Sequence, residues 1–282
     1  MEDLDFSAAP KKAIYDPAVA KAFFKMAGSE ETVPGGKSFF VENEKPGGLF
    51  ARSAKMYFLV DGEVSLTANN KAIGSIAAGQ IFGEMASLAQ SPRTATAVAK
   101  TDCRAISLDE KQFQKAIQKI PEFALMLMSI LIDRLREVGA RVTGTRLTDE
   151  TTLSKRSVFE KKVLDDLRQE FEGNAPVHAP KGKVIMAQGE AAAFMYVVMD
   201  GRVAVSFKER VIERVGPGGV VGEMALIDQS PRVATATAET ECTLLSINRK
   251  DFLLFIKTKP DFSMSLLKSL AERLRHMNTQ LK

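Results

Sequence analysis

A short segment rich in groups that can bind ligands occurs twice in this chain. Its first copy, residues 79–97, contains Gly83, Glu84 and Arg93. The second copy repeats these residue types 139 positions later without a gap: Gly222, Glu223 and Arg232. A repeat kept only for packing would retain its apolar residues and let its polar residues drift. The pattern therefore favours a repeated binding site.

The residue types in this segment suit a sugar phosphate. Arginine carries a planar cation that can bind a phosphate through two donors, whereas an ionised glutamate only accepts and therefore suits a hydroxyl. A helix that starts directly after Gly83 presents free N–H groups to an anion, and the small Ala95 and Ala97 allow close approach to the backbone. A lone Glu and Arg at this spacing more commonly form a surface ion pair, but their recurrence argues against that alternative.

The length and composition argue against several classes of function. A chain of 282 residues is long enough for two domains. With 39 basic and 35 acidic residues, the net charge of +4 gives little attraction for nucleic acid or membrane. Cys103 and Cys242 differ by the same 139 positions, which predicts two buried core thiols and a cytoplasmic protein. We expect no signal peptide, no membrane span, no metal site and no enzymatic activity, because no apolar N-terminal run, metal-ligand cluster or nucleophile–base pair is visible.

Two stretches have the pattern of an all-β sandwich or barrel. From Lys37 to Leu108, and again from about Pro180 to Ile247, short apolar runs alternate with Gly, Asn and Pro. The first stretch has about seven extra residues, which we place in the loop Asn43–Lys55. Two hairpin turns are predicted, at Asp61-Gly62 and Asp200-Gly201.

Helical patterns flank both β stretches. The predicted helices are Asp16–Ala27, with Asp16 as cap and Pro17 first in the helix, then Phe113–Ile117, Phe123–Val142, Arg156–Phe171, Lys250–Thr258 and Asp261–Leu281. We therefore predict an α+β fold of two tandem β jelly-roll barrels, each flanked by an N-terminal helix and C-terminal helices, because such a barrel closes its own edges and can hold a small ligand. The predicted divisions are domain A at residues 1–142, a polar linker at 143–154 and domain B at 155–282.

The segment FGEMASLAQSPRTATA resembles the phosphate-binding cassette of the cyclic nucleotide-binding domain family. This family includes bacterial catabolite activators and the regulatory subunits of protein kinase A. The resemblance covers nearly the whole chain as two tandem domains. We call residues 83–95 cassette one and residues 222–234 cassette two, and the sites they would form site one and site two.

The resemblance implies a role for each cassette position. Glu84 and Glu223 would accept the ribose 2′-hydroxyl, and Arg93 and Arg232 would pair with the cyclic phosphate. Backbone N–H groups around the short helices would complete the two pockets. The remaining cassette residues in this set are Gly83, Met85, Ala86 and Ala95 in site one, and Gly222, Met224, Ala225 and Ala234 in site two.

One cassette position differs between the copies. Thr94 follows the arginine in cassette one, whereas Val233 follows it in cassette two. In the family, a hydroxyl at this position can bond the guanine amino group or the phosphate. A site with an apolar residue at this position resembles family sites that prefer cAMP. The resemblance thus implies cAMP at site two and tolerance of cGMP at site one. The alternative is that Thr94 is merely a strand residue.

The last helices of the two repeats carry matching heptad seams. The seam residues are Met128, Leu131, Leu135, Val138 and Val142 in the first, and Leu267, Leu270, Leu274, Met277 and Leu281 in the second. Each helix packs on its own barrel, or the two pair within one chain, or they pair between two chains in a homodimer. In the family this helix also lies over the base, which implies base contacts from Val138, Gly139 and Arg141 in site one and from Met277, Asn278 and Thr279 in site two.

These features predict a non-catalytic sensor without a cofactor, whose ligand is cAMP, or cGMP at site one, and whose output is a protein partner of unknown identity. The alternative is an interaction scaffold in which the cassettes are structural, but the intact Glu and Arg in both copies favour the sensor. Catabolite activators continue into a helix-turn-helix, which is not visible here. Kinase regulatory subunits carry an inhibitor segment that Lys11-Lys12-Ala13-Ile14 does not match in spacing. We therefore expect neither DNA binding nor kinase inhibition.

Overall fold

The computed structural model describes residues 15–46, 54–142, 153–154, 157–171 and 175–279. These residues form two compact units: one is Tyr15–Ala124, and the other begins at Leu125. The second unit thus contains the second repeat together with most of the helix that closes the first. The domain limits at residues 142 and 155 stay a prediction. Among the described residues, no helix is long and apolar enough to cross a membrane.

The first repeat has the predicted order of helix, strands and helices. Its elements are α1 (Pro17–Ala27), β1 (Ser29–Val33), β2 (Ser38–Phe40), β3 (Met56–Asp61), β4 (Glu63–Ala68), β5 (Lys71–Ala77), β6 (Ile81–Phe82), α2 (Glu84–Ala89), β7 (Thr96–Ala99), β8 (Cys103–Leu108), α3 (Glu110–Ile117) and α4 (Pro121–Val142). The strands form two four-stranded antiparallel sheets, ordered β1-β8-β3-β6 and β2-β7-β4-β5. The predicted jelly-roll barrel is confirmed.

The second repeat has the same arrangement. Its elements are β9 (Leu153–Ser154), α5 (Lys161–Glu170), β10 (Val177–Ala179), β11 (Val184–Met186), β12 (Phe194–Asp200), β13 (Val203–Phe207), β14 (Arg210–Val215), β15 (Val220–Val221), α6 (Glu223–Asp228), β16 (Thr235–Ala238), β17 (Cys242–Asn248), α7 (Arg249–Thr258) and α8 (Pro260–Thr279). Its sheets are ordered β10-β17-β12-β15 and β11-β16-β13-β14-β9.

The end of the predicted linker is a strand. Leu153 and Ser154 form β9, which pairs in parallel with β14 opposite Glu213 and Arg214. Residues 143–152 of that linker lie outside the described residues. The same is true of residues 47–53 in the predicted inserted loop, of the segment Lys11–Ile14 and of Leu281.

The first helix begins where its sequence predicts. The Asp16 carboxylate accepts a hydrogen bond from the backbone N–H of Ala18 at 2.8 Å, and Pro17 is the first helical residue. The helix buries Phe23 and Phe24 completely. Phe23 stacks on Phe123 at the start of α4, with ring centroids 3.9 Å apart. This aromatic cluster fixes α1 against the first turn of α4.

The helix predicted at Arg156–Phe171 is shorter in the structure. It begins at Lys161, after Glu160 as its N-cap. The backbone N–H groups of Val158 and Phe159 both donate to the Gly218 carbonyl, at 2.9 and 3.0 Å. These bonds hold residues 158–159 to Gly218, and the described residues 157–160 lie outside the helix.

The prediction of hairpins at Asp61-Gly62 and Asp200-Gly201 was wrong. The strands on either side of each turn, β3 with β4 and β12 with β13, lie in different sheets, so these turns carry the chain from one sheet to the other. Gly62 has φ +96°, and a Cβ there would lie 2.7 Å from the Asp102 carbonyl oxygen. Glycine is therefore required for a close approach and not for a hairpin.

The hairpins lie one strand further along the chain. Asn69 and Asn70, with φ of 50° and 60°, join the paired strands β4 and β5. Lys208 and Glu209, with φ of 47° and 66°, join β13 and β14 in the same way. Two consecutive positive φ angles are typical of the type I′ turn that matches strand twist.

Both barrels have a core built from equivalent positions. The two cysteines are buried and free, as predicted from their spacing. The cores differ in composition, because Phe40 and Phe82 of the first stand where the second has Met186 and Val221. Repeat one therefore has an aromatic core beside its cassette, and repeat two has an aliphatic one.

Candidate functional site

In cassette one, the arginine lies against the backbone of its own barrel. Arg93 Nη1 donates to the Gly83 carbonyl at 2.9 Å, and Nη2 donates to the Lys55 carbonyl at 2.8 Å. Its guanidinium carbon lies 4.0 Å from the centroid of the Phe40 ring. Gly83 has φ +76°, and a Cβ there would lie 3.0 Å from Arg93 Nη1. Glycine at this position gives the guanidinium its space.

Cassette two has the same geometry. Arg232 Nη1 donates to the Gly222 carbonyl at 2.7 Å, and Nη2 hydrogen-bonds the Phe194 carbonyl. A Cβ at Gly222, which has φ +85°, would lie 2.5 Å from Arg232 Nη1. Where cassette one has a phenyl ring, cassette two has the thioether of Met186. The shared glycine and arginine thus form one structural unit in each repeat.

Both arginines are buried cations. Each is only 6% exposed. Burial lowers the pKa of Arg93, while nearby groups including Glu84 raise it in part. Burial also lowers the pKa of Arg232, and Glu223 is among the groups that oppose the effect. A buried guanidinium of this kind is poorly hydrated, which strengthens its attraction for an anion that reaches it.

The two glutamates are also buried. Glu84 is 5% exposed and Glu223 is 2% exposed. The structure places each directly after the glycine, as the first residue of a short helix. In cassette two, Glu223 forms an ion pair with Arg273 of α8. The carboxylate is therefore held by a cation from the last helix.

Arg273 is held by a second carboxylate as well. Its Nε lies 3.0 Å from Glu213 Oε2, and its Nη2 donates to the Val220 carbonyl at 3.2 Å. Burial by itself would lower the pKa of Arg273, but Glu213 and Glu223 raise it above its usual value. The position equivalent to Glu213 in repeat one is Gly74. This second carboxylate is therefore particular to repeat two.

The other predicted cassette residues lie around these groups. Ala86, Ala95 and Ala225 are buried, whereas Met85, Met224, Val233 and Ala234 are half-buried and Thr94 is exposed. A cavity of about 520 Å³ extends over cassette two, and Arg232 and Val233 line it together with Asp133 and Arg136 of α4. Its volume lies in the range of small-molecule sites.

The predicted base contacts lie on α4 and α8. Val138 is buried, Met277 is half-buried and Asn278 is exposed. The side chains of Arg141 and Thr279 are outside the described residues. A Cβ at Gly139 would lie 3.4 Å from Met277 Cε, so α4 and α8 approach each other here within one chain. A base contact from any of these residues stays a prediction.

The seam residues are mostly buried. Met128, Leu131, Leu135, Leu267, Leu270 and Leu274 are each at most 5% exposed. The approach of Gly139 to Met277 brings the two helices together at this point, and pairing along the whole seam within one chain stays a prediction. Pairing between two chains stays a prediction.

The sequence pattern did not predict a role for the arginines outside the cassettes. Arg273 recurs 139 residues earlier as Arg134, inside an otherwise apolar seam, and that recurrence was a usable signal. Arg136 recurs in the same way, as Arg275, so recurrence alone does not show which of these arginines reaches a cassette. No sequence signal marked Glu213, because its counterpart in the first repeat is Gly74. Among the described residues, no group of His, Cys, Asp and Glu could hold a metal ion.

The family profile "Cyclic nucleotide-binding domain" matches the chain at residues 49–120 and 176–259. The two matches together span more than half of the chain, and each contains one cassette. The chain belongs to the cyclic nucleotide-binding domain family. The family resemblance expected from the cassettes is thus confirmed, and so is the tandem arrangement.

Curated relatives include two bacterial regulators. The chain is 32% identical over 111 residues to a CRP-like cAMP-activated global transcriptional regulator of Mycobacterium tuberculosis; the match covers 38% of this chain and 50% of the regulator. It is 36% identical over 107 residues to the cyclic AMP receptor protein of Thermus thermophilus, covering 36% of this chain and 50% of that protein. The matched part is thus half the length of each relative.

Among solved structures, the regulatory domain of Toxoplasma gondii PKA with cAMP is similar over most of both chains. The match covers 86% of this chain and 87% of that one, with 19% identity and a TM-score of 0.32.

Proposed function

We propose that this cyclic nucleotide-binding domain protein is a non-catalytic cytoplasmic sensor that binds one cAMP at each cassette. The proposal rests on the burial of one glutamate and one arginine in each cassette, Glu84 with Arg93 and Glu223 with Arg232, and on the same arginine-to-backbone bonds in both. Burying a carboxylate and a guanidinium in each of two cassettes costs free energy. A repeated ligand site gives a reason for both.

The arginines supply the phosphate contact in this proposal. A guanidinium has five N–H donors, and two of them are bound to carbonyls in each cassette. Those bonds fix the plane of the guanidinium, and donors remain for a cyclic phosphate. A charge-assisted pair with a preordered arginine loses little side-chain entropy on binding. Short-helix N–H groups beside Gly83 and Gly222 add further donors.

The glutamates supply the ribose contact. Each buried carboxylate is an acceptor beside an arginine, so a ribose hydroxyl can donate to it while the phosphate meets the guanidinium. In cassette two the same Glu223 also bonds Arg273 on α8. A ribose at Glu223 therefore meets a carboxylate that is already tied to the last helix.

This link gives the sensor an output. A nucleotide that binds one arrangement of cassette and C-terminal helices better than another shifts the protein toward that arrangement. We propose that α4 and α8 then present a different surface to a protein partner, within one chain or in a homodimer. The limits of domain A, linker and domain B at 1–142, 143–154 and 155–282 belong to the same proposal. The named relatives that respond to cAMP support this ligand.

The two sites are expected to differ in base preference. The exposed hydroxyl of Thr94 can bond a guanine amino group, whereas Val233 cannot, so site one should tolerate cGMP better. One hydrogen bond contributes about 0.5–1.5 kcal/mol, which limits the difference to about tenfold. Thr94→Val, made in Arg232→Ala so that only site one is intact, should lower the cGMP-to-cAMP affinity ratio in competition titrations. Val233→Thr in Arg93→Ala should raise that ratio, and unchanged ratios in both would contradict the assignment.

A constitutive interaction scaffold is the alternative function. Calorimetric titration of the full chain with cAMP and then cGMP separates the two. The sensor predicts saturable binding of cAMP at two sites per chain, together with a change of shape in solution scattering. A chain that binds neither nucleotide would contradict the sensor and favour the scaffold.

A further inference from the structure

A cluster of hydrogen bonds joins helix α4 to the end of cassette two. Arg136 Nε donates to Asp228 Oδ2 at 2.9 Å, and Arg136 Nη2 lies 2.7 Å from the same oxygen and also hydrogen-bonds Ser230 Oγ. Ser230 Oγ in turn donates to Asp228 Oδ1 at 2.6 Å. We call Arg136, Asp228 and Ser230 the α4 clasp.

The clasp is largely shielded from water. The side chain of Asp228 is 6% exposed and that of Arg136 is 28% exposed. Exposed ion pairs contribute little, but a buried carboxylate that loses its cation is left uncompensated. The position of Arg136 therefore matters to Asp228 and to the segment that Asp228 belongs to.

Cassette one has no equivalent of this arrangement. Ala89 stands where cassette two has Asp228, and Ser91 stands where it has Ser230. Within the described residues, Ser91 Oγ is buried and has no hydrogen-bond partner. The cassettes match closely at their Gly, Glu and Arg positions. The clasp is therefore a specific difference between two otherwise similar sites.

The clasp lies beside the candidate phosphate contact. Ser230 precedes Arg232 by two residues, and Arg136 lines the same 520 Å³ cavity as Arg232. The helix α4 that carries Arg136 runs without interruption from Pro121 to Val142, and its first turn contains Phe123 of the aromatic cluster in repeat one. A shift of this helix would move Arg136 with it.

We propose that Arg136 is a positioning residue for site two, which holds the Asp228–Arg232 segment and makes nucleotide affinity there depend on where α4 lies. This inference rests on the proposed function and adds to it a route by which repeat one controls site two. When α4 withdraws, Asp228 and Ser230 lose their bonds to Arg136, and the segment that carries Arg232 is held less firmly, so site two weakens. By linkage, occupancy of site two changes the affinity of site one by the same factor.

The test is the calorimetric titration of full-length variants with cAMP. Site-two affinity is measured in the otherwise unchanged chain, where site one also fills, and in Arg93→Ala, where site one stays empty. The two values should differ by about 5- to 150-fold. In Arg136→Gln the same comparison should give a difference of about twofold or less. Arg136→Lys keeps the charge but not the fork, so it should restore part of the difference.

Equivalent positions in the two repeats provide the control variants. Arg275→Gln alters the exposed equivalent of Arg136 on α8 and should retain the full difference. Asp228→Ala gives cassette two the residue of cassette one and should abolish the difference; it carries the test if Arg136→Gln does not fold. If Arg136→Gln and Asp228→Ala bind cAMP with the same coupling between the sites as the wild type, this inference alone is overturned. The same holds if the wild type binds cAMP at both sites without any coupling. A chain that does not bind cAMP overturns the proposed function as well.

Discussion

Replacing Arg232 with Ala should abolish site two, and replacing Arg93 with Ala should abolish site one. Each of these arginines is 6% exposed, and its guanidinium is the cation that we assign to the phosphate. Removing one partner of a desolvated charge pair costs about 2–5 kcal/mol, which is a loss of roughly 30-fold to several thousand-fold in affinity. Calorimetry with cAMP should then show one remaining site in each variant.

The control for this prediction separates binding from folding. Arg232→Ala also leaves the Gly222 carbonyl without its donor, and an unpaired buried carbonyl costs about 1–3 kcal/mol of stability. Arg232→Lys retains the charge but cannot serve both carbonyls and a phosphate, so its affinity should be intermediate. Thermal melting without nucleotide shows whether each variant is folded. A folded Arg232→Ala chain that still binds two cAMP molecules at wild-type affinity would disprove the assigned role.

Replacing Arg273 with Ala should cause the largest loss of stability in repeat two. It removes the cation shared by Glu213 and Glu223, which are 7% and 2% exposed, and leaves two buried carboxylates together. Breaking a buried ion pair by removing one partner costs about 3–5 kcal/mol. Urea unfolding should report this as a lower midpoint.

Two further variants decide whether charge is the cause. Arg275→Ala lies two residues away on the exposed side of α8 and should change stability by about 0.5 kcal/mol or less. Adding Glu213→Gln to Arg273→Ala removes one of the two buried carboxylates that have lost their cation. The double variant should recover part of the lost stability. If Arg273→Ala were no less stable than Arg275→Ala, the ion pairs of Arg273 with Glu213 and Glu223 would not hold α8 to cassette two.

The cassettes could be predicted because their information is local. Gly83, Glu84 and Arg93 lie close together in the sequence, within residues 83–93. Their recurrence 139 residues later marks them as one unit. The Asp16 cap was predictable for the same reason, since a capping carboxylate bonds residues two and three positions ahead. The barrel followed from the alternation of short apolar runs.

Contacts between distant segments could not be predicted in this way. Arg273 reaches Glu223 across 50 residues, and Arg136 reaches Asp228 across 92. On α4 and α8 these arginines have the pattern of ordinary charged positions beside a heptad seam. Only the fold shows that the cassette lies within their reach.

The misplaced hairpins have a similar origin. Asp-Gly is a strong hairpin signal when only neighbouring residues are considered. At Gly62 the glycine is needed because the backbone of Asp102, 40 residues later, approaches it closely. Asn69 and Asn70 adopt the left-handed conformation that makes the real turn, and asparagine tolerates that conformation well.

We propose that both cassettes bind cyclic nucleotide through their buried arginines. Equilibrium dialysis of labelled cAMP against the full chain counts the bound nucleotides directly. We expect two per chain in the wild type, one in Arg93→Ala or Arg232→Ala, and none in a folded variant with both substitutions. A wild type that binds none, or a doubly substituted chain that still binds two, would contradict it.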